Sequence, residues 1–344
     1  MKIIEKNILF VLLFVAISTI TIAQTENEVL QKSDNKKEFK PSGTPFIIVF
    51  SNFHTDMTKD KESSAFELNR AYLGYKCQMS KNFSANVTFD VADPGTASSL
   101  NNTAFVKMAA LTYKNNKGNL SFDFGMIGLK QFNTQRGYWG HRYIYKTIQN
   151  QHKFGYTADM GACISYKLHK ILSVDASIMN GEGYKNIQVD NTYKGGFGLT
   201  ITPVKNLIIR EYYDIYQKSE TQWTISSFIG YQFKEKLTLG AEYDIQNNHY
   251  FVKDNNLIGI SAYISYIINK KFEIFGRFDN LSSNKISSDS TSWNITKDGN
   301  AIISGIQYSP VKNIKIAANY QMWRPKLSGS NDEPKIYLNL EYKF

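Results

Sequence analysis

The sequence predicts an all-β fold, a transmembrane antiparallel β-barrel of about 16 strands with an inward-folding third loop. Three observations predict it. Apolar and polar residues alternate with a period of two along most of the chain from Phe46 onward, and no comparable helical period is present. Aromatic residues make up 14% of the chain, with 22 Tyr and 22 Phe, as expected where girdles of rings mark two membrane interfaces. The connections take turns at being short and long, which a Greek-key sandwich has no reason to do over so long a chain.

The N-terminus comes first. Lys2 and Lys6 precede an uninterrupted apolar run from Ile8 to Ile17, and a small-residue exit follows at Thr21-Ile22-Ala23. That order reads as a secretory signal over residues 1–23, cleaved after Ala23. A buried N-terminal helix is the competing reading, and the run is too short to span a bilayer. Residues 24–45 are polar and charged without periodicity and read as a flexible periplasmic arm, which leaves 46–344 for the barrel. Mean hydropathy is negative, so window averages would describe an exported soluble chain, but alternating strands cancel in any window. Without the signal the net charge falls from +10 to about +9. An exported chain rarely meets nucleic acid, so none is expected as a partner. Cys77 and Cys163 are too few for a disulfide scaffold, and they fall on opposite strand faces, so no pairing is expected.

The strands are read next. Phe83, Ala85, Val87 and Phe89 alternate with polar partners, as do Leu237, Leu239, Ala241, Tyr243 and Ile245, and again Ile314, Ile316, Ala318, Tyr320 and Met322. Short turns such as Ser80-Lys81-Asn82 and the repeated Pro-Val-Lys-Asn at 203–206 and 310–313 separate pairs of strands. Counting yields sixteen strands, seven short turns and eight longer loops, and an even number puts both termini on the periplasmic side. The final strand, KIYLNLEYKF, turns Ile336, Leu338, Leu340, Tyr342 and Phe344 to lipid. It must pair with the first strand, because an unpaired backbone edge in hydrocarbon is very costly. Its terminal aromatics, Tyr342 and Phe344, resemble the signal that the outer-membrane barrel assembly machinery reads.

Opposite parity defines a pore wall of Arg70, Lys76, Asp90, Asp123, Asp159, Asp175, Glu242, Asp244, Glu273, Arg277, Asp279 and Lys315. Charge confined to one face of so many strands implies a watery interior, since sixteen strands leave a channel unless something plugs it. Parity is ambiguous near 46–53, 104–113 and 207–216. The longest connection, Lys130–Lys153, carries Lys130, Arg136, Arg142, Lys146 and Lys153 with His141 and His152, and no acidic residue. Folded inward, these side chains form a constriction that attracts anions. Folded outward, they would meet lipopolysaccharide phosphates or water. Tyr138, Trp139, Tyr143 and Tyr145 are expected to pack the loop onto the wall, with sugar stacking as the alternative.

The segment FELNRAYLGYKCQMSKNFSANVTFDVAD, from Phe66 to Asp93, resembles the early hairpin of the phosphate-selective porin O and P family. Its Arg-x-Tyr-x-Gly-Tyr strand is Arg70, Tyr72, Gly74 and Tyr75 here, and the following strand ends at Asp90. FGMIGLKQFN, before the long third loop, is similar to that family as well. The resemblance implies a homotrimeric outer-membrane channel, embedded in outer-membrane lipids, that passes small solutes and favours anions such as phosphate. The chain departs from the pattern in lacking a regular ladder of inward Arg and Lys. No His-Glu-x-x-His, Gly-x-Ser-x-Gly or Cys-x-x-Cys occurs, and no cofactor is implied. Gly195-Gly196-Phe197-Gly198 lies in a strand, where glycine serves close packing or a bend rather than a dinucleotide. Two alternatives remain: a barrel-embedded hydrolase, with His249 as the one candidate base, and a non-conducting structural or adhesive barrel.

Overall fold

A computed structural model describes residues 39–93, 102–286 and 290–344; the signal segment and most of the arm lie outside them. The alternating segments become sixteen antiparallel strands, each paired with its neighbours in sequence. They are β1 (Ser42–Asp56), β2 (Ser63–Gln78), β3 (Phe83–Ala92), β4 (Thr103–Lys114), β5 (Leu120–Gly128), β6 (Ala158–His169), β7 (Leu172–Met179) and β8 (Lys194–Ile201). The second half follows as β9 (Leu207–Gln217), β10 (Thr221–Phe233), β11 (Leu237–Asn247), β12 (Leu257–Ile267), β13 (Phe272–Ser283), β14 (Gly299–Tyr308), β15 (Ile314–Pro325) and β16 (Glu333–Lys343). Pairing of β16 with β1, from Lys335–Lys343 against Ile48–Asp56, closes the barrel. Ile47 and Phe344 complete the seam by exchanging backbone hydrogen bonds of 2.8 and 3.1 Å. Every strand therefore has two partners, as hydrocarbon requires.

The two faces meet different surroundings. Ile164, Ile229, Ile264, Ile302 and Leu338 point outward and are exposed, a band of large apolar side chains that water would not tolerate at this extent. Among the described residues no helix is long and apolar enough to cross a membrane. Cys77 lies on the outer face and Cys163 is buried on the inner one, and both are free.

Three sequence expectations need adjustment. The first strand starts at Ser42, not Phe46, because Ser42–Pro45 pair with Tyr75–Gln78 of β2. That stretch has no apolar alternation to reveal it. Pro45 is tolerated because β16 pairs only from Ile48 onward, leaving its missing N–H on an open edge. Parity was ambiguous in β4 because of a bulge, and in β1 because its inward Ile48 and Phe50 are apolar too and pack against the third loop; the neighbouring β2 and β4 carry the bulges. One extra residue, Asn69, sits opposite Phe50/Ser51, and another, Lys107, sits opposite Thr88/Phe89. In β9 there is no bulge, and Arg210, Tyr212, Asp214 and Tyr216 face inward.

Candidate functional site

The connection between β5 and β6 folds into the barrel. It carries a 3-10 turn (Lys130–Phe132) and two short helices, α1 (Asn133–Trp139) and α2 (Ile148–Gln151). Gly140 ends α1 at φ +68°, a left-handed position that suits glycine. Phe132, Trp139, Ile148 and Phe154 are buried at 2% exposure or less, each worth about 2 kcal/mol of burial. Trp139, Tyr143 and Ile144 pack on Phe228, Tyr263, Phe275 and Ile303 of β10–β14, and Tyr143 reaches Phe50 of β1 at 6.4 Å between ring centres. Loop three thus crosses the lumen from the β5 side to β1.

Inward polar groups fix this crossing. Gln149 donates to Ser226 at 2.7 Å and also to Glu242. Gln246 donates to the Phe154 carbonyl at 2.9 Å, and the Tyr263 hydroxyl donates to the Gln135 carbonyl at 3.1 Å. The Tyr143 hydroxyl donates to Gln307 at 2.9 Å, and Asn339 donates to the Tyr143 carbonyl at 3.4 Å. The expectation that Tyr143 and Trp139 pack the loop onto the wall holds.

An open cavity lies beside this loop. It measures about 1210 Å³ and is lined by cations, among them Arg70, Arg142, Lys146, Lys153 and Lys185, by the acids Glu67, Asp93 and Glu182, and by strand and loop residues between them. Arg142 and Lys146 face the β2–β4 wall there. On that wall Arg70 Nε lies 3.2 Å from Asp90 and Lys107 Nζ 3.1 Å from it, and the Tyr184 hydroxyl donates to the same carboxylate at 2.7 Å. Asp90 is therefore shared by two wall cations and by Tyr184 of the β7–β8 connection. Among the described residues, neither Arg142 nor Lys146 has a carboxylate within ion-pair distance. Burial, with the charges of Arg142 and Arg70 behind it, brings the Lys146 ammonium down to about 8. Burial lowers Arg142 too, with Arg70 again adding to the effect. Burial is the first cause of both shifts, and like charge nearby adds to it.

Several other inward acids of the wall are engaged elsewhere. Arg210 grips Asp175 in a fork of 2.8 and 3.0 Å, and Lys194 pairs with Asp214 at 2.7 Å. A side chain at Gly198 would stand 2.5–2.7 Å from that fork, which explains the glycine in Gly196-Phe197-Gly198. Glu242, Asp244 and Asp279 are sealed at 3% exposure or less behind loop three.

Loop three and the wall place the predicted residues unequally. Lys130 is tied to Asp123 at 3.7 Å, Arg136 is exposed and bonded to Asn133 at 2.7 Å, and Lys153 is exposed at the far end of the cavity. Lys315 lies 5.8 Å from the Tyr143 ring centre and 4.0 Å from Glu341, and Lys76 sits 5.3 Å from the Phe46 ring centre. Two expectations are corrected. His141 is 2% exposed, packed 4.5 Å from the Phe275 ring with Nδ1 2.7 Å from the Trp139 carbonyl, so it belongs to the packed underside of the loop. Arg277 is held by Asp279 at 2.6 and 2.8 Å and covered by Trp139 and Tyr145, so it lines no open water. His249 is buried 5.8 Å from the Trp293 ring and contacts Gln246. Sequence reasoning missed Lys107, whose only signal was a lysine breaking the apolar run TAFVKMAAL, and Tyr184 and Lys185, which carried none.

A family profile described as "Putative beta-barrel porin-2, OmpL-like" matches residues 154–343, more than half of the chain. The match begins after the Phe66–Asp93 segment on which the resemblance to phosphate-selective porins rests. No curated protein matches the sequence. The barrel is similar to the outer membrane channel DcaP of Acinetobacter baumannii, with a TM-score of 0.65 and 12% identity over 88% of this chain and 97% of that one. Similarity to OmpF of Salmonella typhi, solved with daunomycin, has a TM-score of 0.67 and 13% identity over 88% and 97%. An anion-selective porin from Comamonas acidovorans follows at 0.64 and 12% over 89% and 100%. At these identities the likeness is one of fold.

Proposed function

This chain belongs to the OmpL-like beta-barrel porin-2 family, and from that premise we propose that it is a passive outer-membrane channel for small solutes that favours anions. Both termini then lie on the periplasmic side. One observation carries the anion preference: among the described residues Arg142 and Lys146 line the cavity with no carboxylate within ion-pair distance, opposite a wall whose nearby acid, Asp90, is already shared by Arg70 and Lys107. Cations fixed beside a narrow aqueous path raise the local concentration of anions and repel cations. Similarity of fold to an anion-selective porin supports the reading without carrying it.

Phosphate suits the same cluster, because Arg142 offers a planar fork and Lys146 a compact charge. The homotrimer is part of this proposal, and the molecular mass of the detergent-solubilised protein by light scattering tests it. The channel itself is tested by single-channel recording in a planar bilayer under a KCl gradient. A step conductance with a reversal potential favouring chloride supports the proposal. A potassium-favouring channel would remove the anion preference and leave the pore, and a folded barrel without conductance would remove the pore. Phosphate added to the chloride solution should reduce chloride current where it binds the cluster.

A further inference from the structure

The seven short turns have one chemistry in common. Each bears at least one exposed lysine, represented turn by turn by Lys81, Lys117, Lys170, Lys205, Lys234, Lys270 and Lys312. The one exposed acid in these turns is Glu235. The long-loop end differs, since its lysines are mixed with Asp60, Glu62, Asp190, Asp254 and Asp332. Directly above the short turns runs a belt of outward aromatics. Phe83 meets Tyr113 at 5.2 Å between ring centres, and Phe272 meets Tyr308 at 5.0 Å. Tyr166, Phe233 and Tyr266 are exposed in the same belt, and Lys234 Nζ lies 5.1 Å from the Phe233 ring centre.

Aromatic rings of this kind settle where hydrocarbon gives way to headgroups. The lysines begin within a few residues of that level, which puts their ammonium groups at the depth of the lipid phosphates. We infer that the short-turn rim is a docking surface for anionic phospholipid headgroups of the adjacent leaflet, a ring of lysines that gathers such lipids around one end of the barrel. The charge asymmetry between the two ends favours this occupant, because a generic solvated rim would carry both signs, as the long-loop end does. The inference rests on the strands crossing a membrane and is independent of any ion preference of the pore.

The test uses the refolded full chain in vesicles of phosphatidylcholine containing a trace of spin-labelled lipid. The motionally restricted fraction of spin-labelled phosphatidylglycerol is compared with that of spin-labelled phosphatidylcholine. At low salt the anionic label should associate about fivefold more strongly, the factor for one lysine near a phosphate, and the preference should vanish in concentrated NaCl. Replacing Lys81, Lys117, Lys170, Lys205, Lys270 and Lys312 by Gln should weaken it strongly, leaving the share of Lys234, Lys236 and Lys271. A control with Gln at Lys59, Lys61, Lys253, Lys285, Lys297 and Lys326 of the long-loop end should retain it. Equal association of the two labels with the unaltered protein would overturn the inference, as would equal losses in the two variants. Should the first variant fail to fold, the salt dependence of the unaltered protein decides alone. Binding to purified cell-wall sacculi without any lipid preference would assign the rim to a different partner and also overturn it.

Discussion

Replacing Arg142 by Gln should lower the chloride-to-potassium permeability ratio by roughly four- to tenfold while leaving the barrel folded. The guanidinium lines the cavity, and among the described residues no carboxylate stands within ion-pair distance of it. A unit charge about 4–6 Å from a passing ion contributes about 0.7–1 kcal/mol in water. At 0.1 M salt, with a Debye length of about 10 Å, this falls to about 0.4–0.7 kcal/mol. A chloride gains that amount and a potassium loses it, so the ratio changes by about 0.8–1.4 kcal/mol, which converts to the stated factor. Low-dielectric walls push the true value towards the upper end. The assay is the reversal potential under a KCl gradient, with retention of the heat-modifiable folded band on gels as the folding control. An unchanged ratio in a folded Arg142→Gln channel would refute the reasoning, since ions would then pass elsewhere. A further Lys146→Gln change should multiply the effect.

Four further outcomes are expected. Lys146, brought down to about 8, is charged below that pH and loses its charge above it. Anion preference should therefore fall between about pH 6.5 and about pH 9.5, and Lys146→Arg, whose guanidinium stays charged, should remove most of that fall. Arg277→Gln should leave the selectivity of the folded channel unchanged, because loop three covers the side chain, but should lower thermal stability through the stranded Asp279, by about 3–5 kcal/mol for a broken buried pair. Trp139→Ala, at 1% exposure, should weaken the packing of loop three by about 3–5 kcal/mol and make single-channel traces larger and noisier. Deleting Phe344 removes the backbone pair with Ile47 and the terminal aromatic, and folded barrel recovered from cell membranes should drop relative to the unaltered chain.

Much of the architecture was legible because barrels impose a simple code. Leu237, Leu239, Ala241, Tyr243 and Ile245 share one face in the sequence and in β11, since a strand that divides lipid from lumen must alternate. Where a bulge adds a residue, the code breaks locally, and Lys107 became unreadable for that reason. Ser42–Pro45 were read as arm because their strand conformation comes from β2 and not from their own side chains. Position in the lumen was legible for Arg277, but exposure to water was not. Parity says which face a side chain leaves by, and only the fold of loop three decides what covers it. His141 failed likewise: a charge-capable ring in a basic loop was read as pore lining, whereas the loop's packing on Phe275 takes it out of water.

The electrostatic character of such a channel follows from pairing rather than from counts. On the wall, acids and bases stand at fixed ladder spacings, so a carboxylate finds a cation on the same or a nearby strand. Asp175 does so with Arg210, Asp214 with Lys194, Asp90 with Arg70 and Lys107, and Asp279 with Arg277. Such pairs cancel at a distance, whatever the total number of acids. Loop three is built under a different constraint. Residues 130–153 contain no acid of their own, and most acids of the wall they cross are paired with a cation or sealed behind the loop. Cations left over after that matching can only be those of the loop and its neighbours, Arg142 and Lys146 foremost. On this reading the departure from a regular Arg and Lys ladder does not weaken anion preference. A few uncompensated charges beside the passage act on each ion at short range, whereas a paired ladder of any density acts on none.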